Sequence, residues 1–553
     1  MNDAGGPGED QVTTVARALL EMLGRAGVET VHGLPGVHNL AFWREAGPGT
    51  PRIVVVRHEQ TAVYAADGLA RVTGGLGAAL TTTGPGAANA LAAFGEAAAS
   101  RSPVVLLATE IPSGLARPGV VRGVLHESRD QAAMFEPLAK AVLRPRTPEE
   151  AVRAVASAAR TAMTSPRGPV YLDIPADVLD AEVGPSDELG RGVPARIAPA
   201  TEAIERAVRA IESASRTVIW AGGGVVESDA GAELAALAEC LGAPVVTTFA
   251  ARGVLPPEHP WLVGLPPHEP EVAAYLGSAD LLLVVGSQLD GASTRNWTMP
   301  RPPALVAVNV SETDLAKSYQ PDVAVLGDAK LVLGELVARV GPRGSDVRAL
   351  AELRERTWDR LRADEAGGPA LAFLDALGAA VSSAGATVVV DMAIPGYWYG
   401  GYARVERPRG LAYPIGWGTL GFALPASVGA AAGGRPVLAV CGDGGFMFAV
   451  GELAVLRQES LPVTVLVVDD GGYGMLRYDQ DRAGDEHRGV DLFRPDFAAL
   501  AAAFEIPAVV VGDVEGDGLA DLLREALESG GPRMVVLELA LTPPRTTSPR
   551  WRD

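Results

Sequence analysis

Two aspartates close two consecutive apolar runs: Asp443 in Gly442-Asp443-Gly444-Gly445, and Asp470 in Asp469-Asp470-Gly471-Gly472. Between them Phe446, Val450, Leu453 and Leu456 recur at helical spacing, and 463–468 is an unbroken apolar run, so 440–475 reads as strand, helix, strand. Each aspartate then stands at the carboxyl end of a parallel strand. Open parallel sheets bind ligands at that end, and a helix amino terminus fronted by glycines offers bare amides to phosphate oxygens. Two carboxylates beside a diphosphate give the hard oxygen donors that suit Mg2+ or Ca2+.

The first third of the chain carries a second set of reactive types. Glu59 lies in Arg57-His58-Glu59-Gln60, after a strand at 53–56 and before a small-residue helix at 62–71. The strand 78–82 closes in Thr83-Gly84-Pro85-Gly86-Ala87-Ala88-Asn89, a glycine turn that opens a helix. His38 sits in the turn Gly33-Leu34-Pro35-Gly36-Val37-His38-Asn39, which follows a helix at 12–26 and a strand at 30–33. His126 stands in Leu125-His126-Glu127. Taken singly these are a helix start, a tight turn and two structural histidines. Taken together they offer a carboxyl group and two imidazoles beside a glycine turn. A carboxyl group held in an apolar cleft has its pKa raised and can share a proton with a ring nitrogen.

Strands must hold these turns, and the chain has the material for them. Its 553 residues are enough for about three domains. Abundant Ala, Gly, Val and Leu with few aromatics favours alternating strands and helices over an all-β design. A net charge of -20 argues against nucleic acid as a partner. Cys240 and Cys441 lie in apolar runs without metal-ligand spacing and read as buried free thiols. The polar opening ten residues read as disordered and lack the pattern of a signal peptide. No apolar run reaches membrane-spanning length, so the expectation is a soluble, cytoplasmic protein that does not enter membranes. Polar, Pro-bearing linkers at 184–199 and 341–346 divide the chain into domains at 1–183, 200–340 and 365–542, with a tail at 543–553. The charged, glycine-bearing stretch 477–490 reads as a mobile cover.

In this order and spacing the motifs resemble the thiamine diphosphate (ThDP) enzymes of the acetolactate synthase and 2-oxo acid decarboxylase group. The resemblance covers about 12–541. It implies three doubly wound α/β domains: pyrimidine-binding, central and diphosphate-binding. It implies Asp443, Asp470 and the Gly472 carbonyl as ligands of Mg2+. Gly442, Gly444, Gly445, Tyr473, Gly474, Met475, Pro35 and Asn89 would line the cofactor. Gly418 and Leu420, in Gly416-Trp417-Gly418-Thr419-Leu420-Gly421, would lie under it, with Leu420 as the wedge that bends it. Glu59 would be the activating glutamate, sharing a proton with the aminopyrimidine so that thiazolium C2 can lose its own. The family arrangement also implies a homo-oligomer with Glu59 and Asp443 of one site on different chains.

The departures bear on the reaction. Asp469-Asp470 stands where Asn-Asn is usual, adding negative charge at the metal. Histidine at 126, together with His38, looks more like the guanidino-oxopentanoate decarboxylases and resembles benzaldehyde lyase in the placing of polar groups, which makes both histidines candidates to face the substrate. The acceptor-side segment of acetolactate synthases is replaced by residues 393–398. Val263-Gly264-Leu265-Pro266-Pro267-His268 replaces the segment that accompanies FAD in true synthases, which argues against FAD. Gly222-Gly223-Gly224 is not a dinucleotide fingerprint. The expectation is a ThDP- and Mg2+-dependent enzyme that decarboxylates a 2-oxo acid and protonates the product or transfers it to an acceptor. Acetolactate synthase proper, a flavin- or nicotinamide-dependent oxidoreductase, and a catalytically silent ThDP-binding paralogue are the alternatives.

Overall fold

The computed structural model describes residues 12–117, 119–185, 194–344, 347–514 and 518–545. The opening ten residues, 186–193 of the first linker, 345–346 of the second and 546–553 of the tail lie outside them. Two compact units are present: residues up to Pro194 with Val428–Gly433 and Gly451–Glu459, and the remainder from Ala195 onward.

The first unit is built on a six-stranded parallel sheet, in spatial order Arg52–Val55, Thr30–Gly33, Gly77–Thr81, Val104–Glu110, Val170–Pro175, Ala141–Leu143. Thr13–Thr14 pairs antiparallel with Glu182–Val183 beside it. The Glu59–Thr73 helix crosses from one strand to the next. Nδ1 of His58 caps it by accepting from the Gln60 amide at 3.2 Å, and Gly74, at φ 74, ends it. The helix begins three residues earlier than its small-residue run suggested, which makes Glu59 its first residue. Two glycines let backbone close on it. A Cβ at Gly77 would stand 2.2 Å from the Ala66 carbonyl oxygen, and one at Gly429 would stand 1.8 Å from that of Ala65.

The second unit carries two all-parallel sheets. One has five strands, in order Val245–Thr247, Thr217–Ala221, Leu281–Val285, Ala304–Asn309, Val323–Leu326. The other has six: Leu411–Ala412, Thr387–Val390, Val437–Gly442, Val463–Asp469, Arg533–Glu538, Ala508–Val511. Val463–Asp469 is buried along its whole length, as a strand covered on both faces should be.

Three expectations need correction. The apolar run after Asp443 is not one amphipathic helix. It breaks into Asp443–Phe446, a 3-10 stretch at Met447–Glu452 and Leu453–Gln458, with Ala449 out of helical conformation at φ -132, ψ 21. Phe448 is 56% exposed, and the turn brings its Cβ within 2.7 Å of where a Cβ at Gly421 would stand. Cys441 is buried, but Cys240 is only half-buried, at the end of a helix with its Sγ 3.8 Å from the Val340 carbonyl. The first half of the expected cover is a helix, Gly474–Ala483, ended by Gly484 at φ 73. Among the described residues no helix is long and apolar enough to cross a membrane.

Candidate active site

The turns that sequence singled out in the second unit converge at the carboxyl ends of adjacent strands. Val437–Gly442 and Val463–Asp469 pair directly, with Gly442 opposite Val468. Asp443 follows the first strand and its Oδ2 accepts from the Gly471 amide at 3.1 Å, which ties the two turns together. Burial, and then the charge of Asp470, pushes the Asp443 carboxyl up to about 7. Asp470 is also raised, chiefly by burial and against the pull of Arg477. Its Oδ1 is buried without a hydrogen bond, since the Arg477 guanidinium stops 3.8 Å away. Two facing carboxylates, one with an unused oxygen, form a place for a cation.

The glycines around them are spaces that side chains would fill. A Cβ at Gly474 would lie 2.2 Å from Asp470 Oδ2, and one at Gly444 would lie 2.7 Å from the Tyr473 ring and 3.4 Å from the Gly472 carbonyl oxygen. Gly472, at φ 154, pairs with Asp491, and a Cβ there would lie 2.0 Å from the Val490 carbonyl oxygen. The doublet divides its labour. Asp469 is clamped by Arg494, with contacts of 2.7 to 3.1 Å, and still reaches the Asp443 carboxyl, whereas Asp470 carries no such clamp on its Oδ1.

A third turn is shaped by a residue whose role the sequence reading did not assign. Buried Asp391 follows the strand Thr387–Val390 and accepts from the amides of Met392 (2.9 Å), Gly421 (3.0 Å) and Phe422 (3.2 Å). Burial still lifts it to about 6. This carboxylate folds the segment that presents Gly418, at φ 76, and the half-buried Leu420. Met475 is half-buried on the first turn of the Gly474–Ala483 helix.

In the first unit Glu59 is 8% exposed, and its Oε2 accepts from Asn89 Nδ2 at 3.0 Å. Asn89 closes the Pro85–Asn89 helix, so the glycine turn and the glutamate are joined directly. A Cβ at Gly86 would lie 3.3 Å from Glu59 Oε1. Asn39 fixes the other turn: it accepts from the Gly36 amide at 2.7 Å and donates to the Leu34 carbonyl at 3.1 Å, which holds Pro35 between them. Gly36 and Gly86 both press on Thr82, whose hydroxyl is buried without a partner.

His38 and His126 meet edge to face, with ring centroids 5.4 Å apart. Burial and the neighbouring His126 lower the pKa of His38, so its ring is neutral at pH 7. Nδ1 of each ring is buried and unbonded. His126 is held at φ 67, a left-handed conformation that a histidine adopts only under constraint, with its carbonyl oxygen 2.6 Å from a Cβ built at Gly84. The two sequence-predicted histidines are therefore neighbours.

Two supports were missed. Gln131 Oε1 accepts from the Gly84 amide at 2.5 Å, while its Nε2 donates to Thr109, Tyr171 and Asp173. Glu452 receives the Arg57 amide on both oxygens at 3.2 Å and so anchors the entry to the Glu59 helix. Burial holds that carboxyl at about 7.

Residues 13–134 match the family model "Thiamine pyrophosphate enzyme, N-terminal TPP binding domain", 204–336 the central domain and 391–537 the C-terminal TPP binding domain. The chain is 36% identical over 501 residues to a probable 2-ketoarginine decarboxylase of Pseudomonas aeruginosa, covering 89% of this chain and 88% of that protein. It is 30% identical over 530 residues to an acetolactate synthase large subunit of Corynebacterium glutamicum, covering 91% and 83%. A probable acetolactate synthase large subunit of Methanocaldococcus jannaschii is 29% identical over 558 residues, covering 96% and 92%.

Proposed function

The chain belongs to the thiamine pyrophosphate enzymes, and on that premise we propose that it removes CO2 from a 2-oxo acid in a ThDP- and Mg2+-dependent reaction, then protonates the remaining fragment to an aldehyde or passes it to an acceptor. The observation that carries this reading is the facing pair Asp443 and Asp470 at adjoining strand ends, walled by glycines. Asp443, Asp470 and the Gly472 carbonyl would hold Mg2+, and the amides of Gly444 and Gly445 would receive the diphosphate. When bound, ThDP supplies the nucleophilic carbon and the electron sink.

The remaining tasks fall to the chain's own side chains. Asn89 occupies Oε2 of Glu59 and leaves Oε1 to share a proton with the aminopyrimidine nitrogen. In this reading the neutral His38 and its neighbour His126 would hold the substrate carboxylate or move a proton to the product carbon, a role their adjacency supports. The working form in this reading is a cytoplasmic homo-oligomer in which Glu59 of one copy serves the Asp443 turn of another.

Decarboxylation is favoured over acetolactate synthesis because residues 393–398 replace the synthase acceptor segment. In their place is the start of the Ile394–Tyr402 helix, whose buried Trp398 donates to the Thr542 carbonyl at 2.8 Å. The substrate named for the Pseudomonas relative, a 2-oxo acid with a guanidinium, is the first to try. Half-buried Asp479, within electrostatic reach of Tyr397, is the carboxylate we assign to a cationic side chain.

The Glu59→Gln variant tests the assignment of the proton-sharing group. Turnover should fall by at least 100-fold while ThDP, titrated calorimetrically with Mg2+ present, still binds. Near-normal turnover would remove Glu59 from the role.

A further inference from the structure

A cleft of about 580 Å³ lies in the second unit, walled by the helices Val347–Ala363 and Gly367–Ala384, the end of Ile394–Tyr402 and the loop that follows it. Its floor includes Ala386, just before the strand Thr387–Val390, Gly410, just before Leu411–Ala412, and Arg435, two residues before Val437–Gly442. It therefore sits at the amino ends of strands whose carboxyl ends carry Asp391 and Asp443. The candidate active site is at the opposite edge of the same sheet.

The charge of the cleft opposes that of the chain. In a protein of net charge -20, Arg362, Arg404, Arg407 and Arg435 line it against only Asp375 and Glu406. Two of the arginines are answered: Arg362 by Asp359 at 3.0 Å and Arg404 by Glu258. Glu406 is engaged by the Ser382 hydroxyl at 2.7 Å. Among the described residues Arg407 donates to the Thr387 hydroxyl at 2.7 Å, and Arg435 to the Gly385 carbonyl at 3.2 Å. Among the described residues neither guanidinium pairs with a carboxylate. Burial, and then Arg435, lower the pKa of Arg407, so two cations share one wall without a counter-charge. Guanidinium forks in that setting match phosphate or carboxylate oxygens. The other wall carries the rings of Trp358 and Tyr402, edge to face with centroids 6.4 Å apart, together with Leu371 and Leu374. The volume lies within the roughly 300–1,000 Å³ typical of small-molecule sites.

We propose that this cleft binds a nucleoside phosphate, its phosphate on Arg407 and Arg435 and its base against Trp358 and Tyr402. The site is separate from the ThDP turns, and the Ile394–Tyr402 helix joins the two edges. That helix starts three residues after Asp391 and ends at the cleft.

The test uses holoenzyme saturated with ThDP and Mg2+, so that the diphosphate turns are filled. Calorimetric titration with AMP and with ADP should show binding at micromolar concentrations, with ribose 5-phosphate at least tenfold weaker and inorganic phosphate weaker still. The Arg407→Gln/Arg435→Gln variant should lose at least tenfold in AMP affinity, with ThDP affinity and basal turnover unchanged. Should that variant not fold, hydrogen exchange on the unaltered enzyme decides. AMP should slow exchange at residues 385–386 and 403–410 and leave the 470–474 turn unaffected. No binding of AMP or ADP at millimolar concentration overturns the proposal. So does equal binding by the folded double variant, or protection confined to the 470–474 turn.

Discussion

Replacing Asp470 with Asn removes one of two facing charges and keeps an oxygen donor of the same shape. Without a cation, Asp443 is held at about 7, against an ordinary 3.8, by burial and by Asp470. Between those two values the folded chain keeps a proton that the unfolded chain has already lost, so the metal-free protein loses stability as pH rises through that window. Binding Mg2+ requires the ionised form, so cofactor affinity should climb with pH and level off above about 7. Removing the Asp470 charge should lower Asp443 by roughly one to two units. The midpoint of the binding profile should then move to between about 5 and 6. The metal-free variant should also melt higher than the parent at pH 7. Above pH 8, where Asp443 is ionised in both proteins, the variant should bind Mg2+ more weakly, because one ligand has lost its charge. The assay is calorimetric titration of ThDP with Mg2+ in saturating excess from pH 5 to 9, beside thermal melts without metal. An unmoved midpoint together with an unchanged melting temperature at pH 7 would refute the claim that the two carboxylates face one another.

Two further substitutions test close approaches. Gly474→Ala puts a Cβ 2.2 Å from Asp470 Oδ2, so the carboxylate must swing away, and ThDP–Mg2+ affinity should drop about 10–100-fold with little change in melting temperature. Gly429→Ala sets a Cβ 1.8 Å from the Ala65 carbonyl oxygen, and denaturant unfolding should show a loss of about 1–3 kcal/mol.

The legible part of the chain was its strand ends. Asp443, Asp470, Glu59 and the two glycine turns each follow a run of apolar residues too regular to be loop, and each lies where that pattern put it. His38 and His126 carried only a motif-level hint, yet their rings touch although 88 positions separate them in sequence. What sequence could not show was support from a distance. Glu452 caps the entry to the Glu59 helix from 395 positions beyond Arg57, and no local pattern marks a buried carboxylate for that task. Asp391 was visible as a strand end, but its role depends on the amides of Gly421 and Phe422, 30 and 31 positions on. The run from Phe446 to Leu456 has helical spacing and still breaks. Phe448 must pack over Gly421 while Glu452 reaches back to Arg57, and one straight helix cannot do both. In the doublet Asp469-Asp470, no local pattern marks that the first acid is paired with Arg494, 25 positions on.

The most direct test of the central claim is an incubation of the purified protein with ThDP and Mg2+ against a panel of 2-oxo acids headed by 5-guanidino-2-oxopentanoate, with and without aldehyde acceptors, recording CO2 and product masses. The account predicts CO2 release that depends on both ThDP and Mg2+, accompanied by the aldehyde one carbon shorter or by a hydroxyketone where an acceptor is present. No CO2 from any member of the panel, in protein shown by titration to hold ThDP and Mg2+, would contradict it.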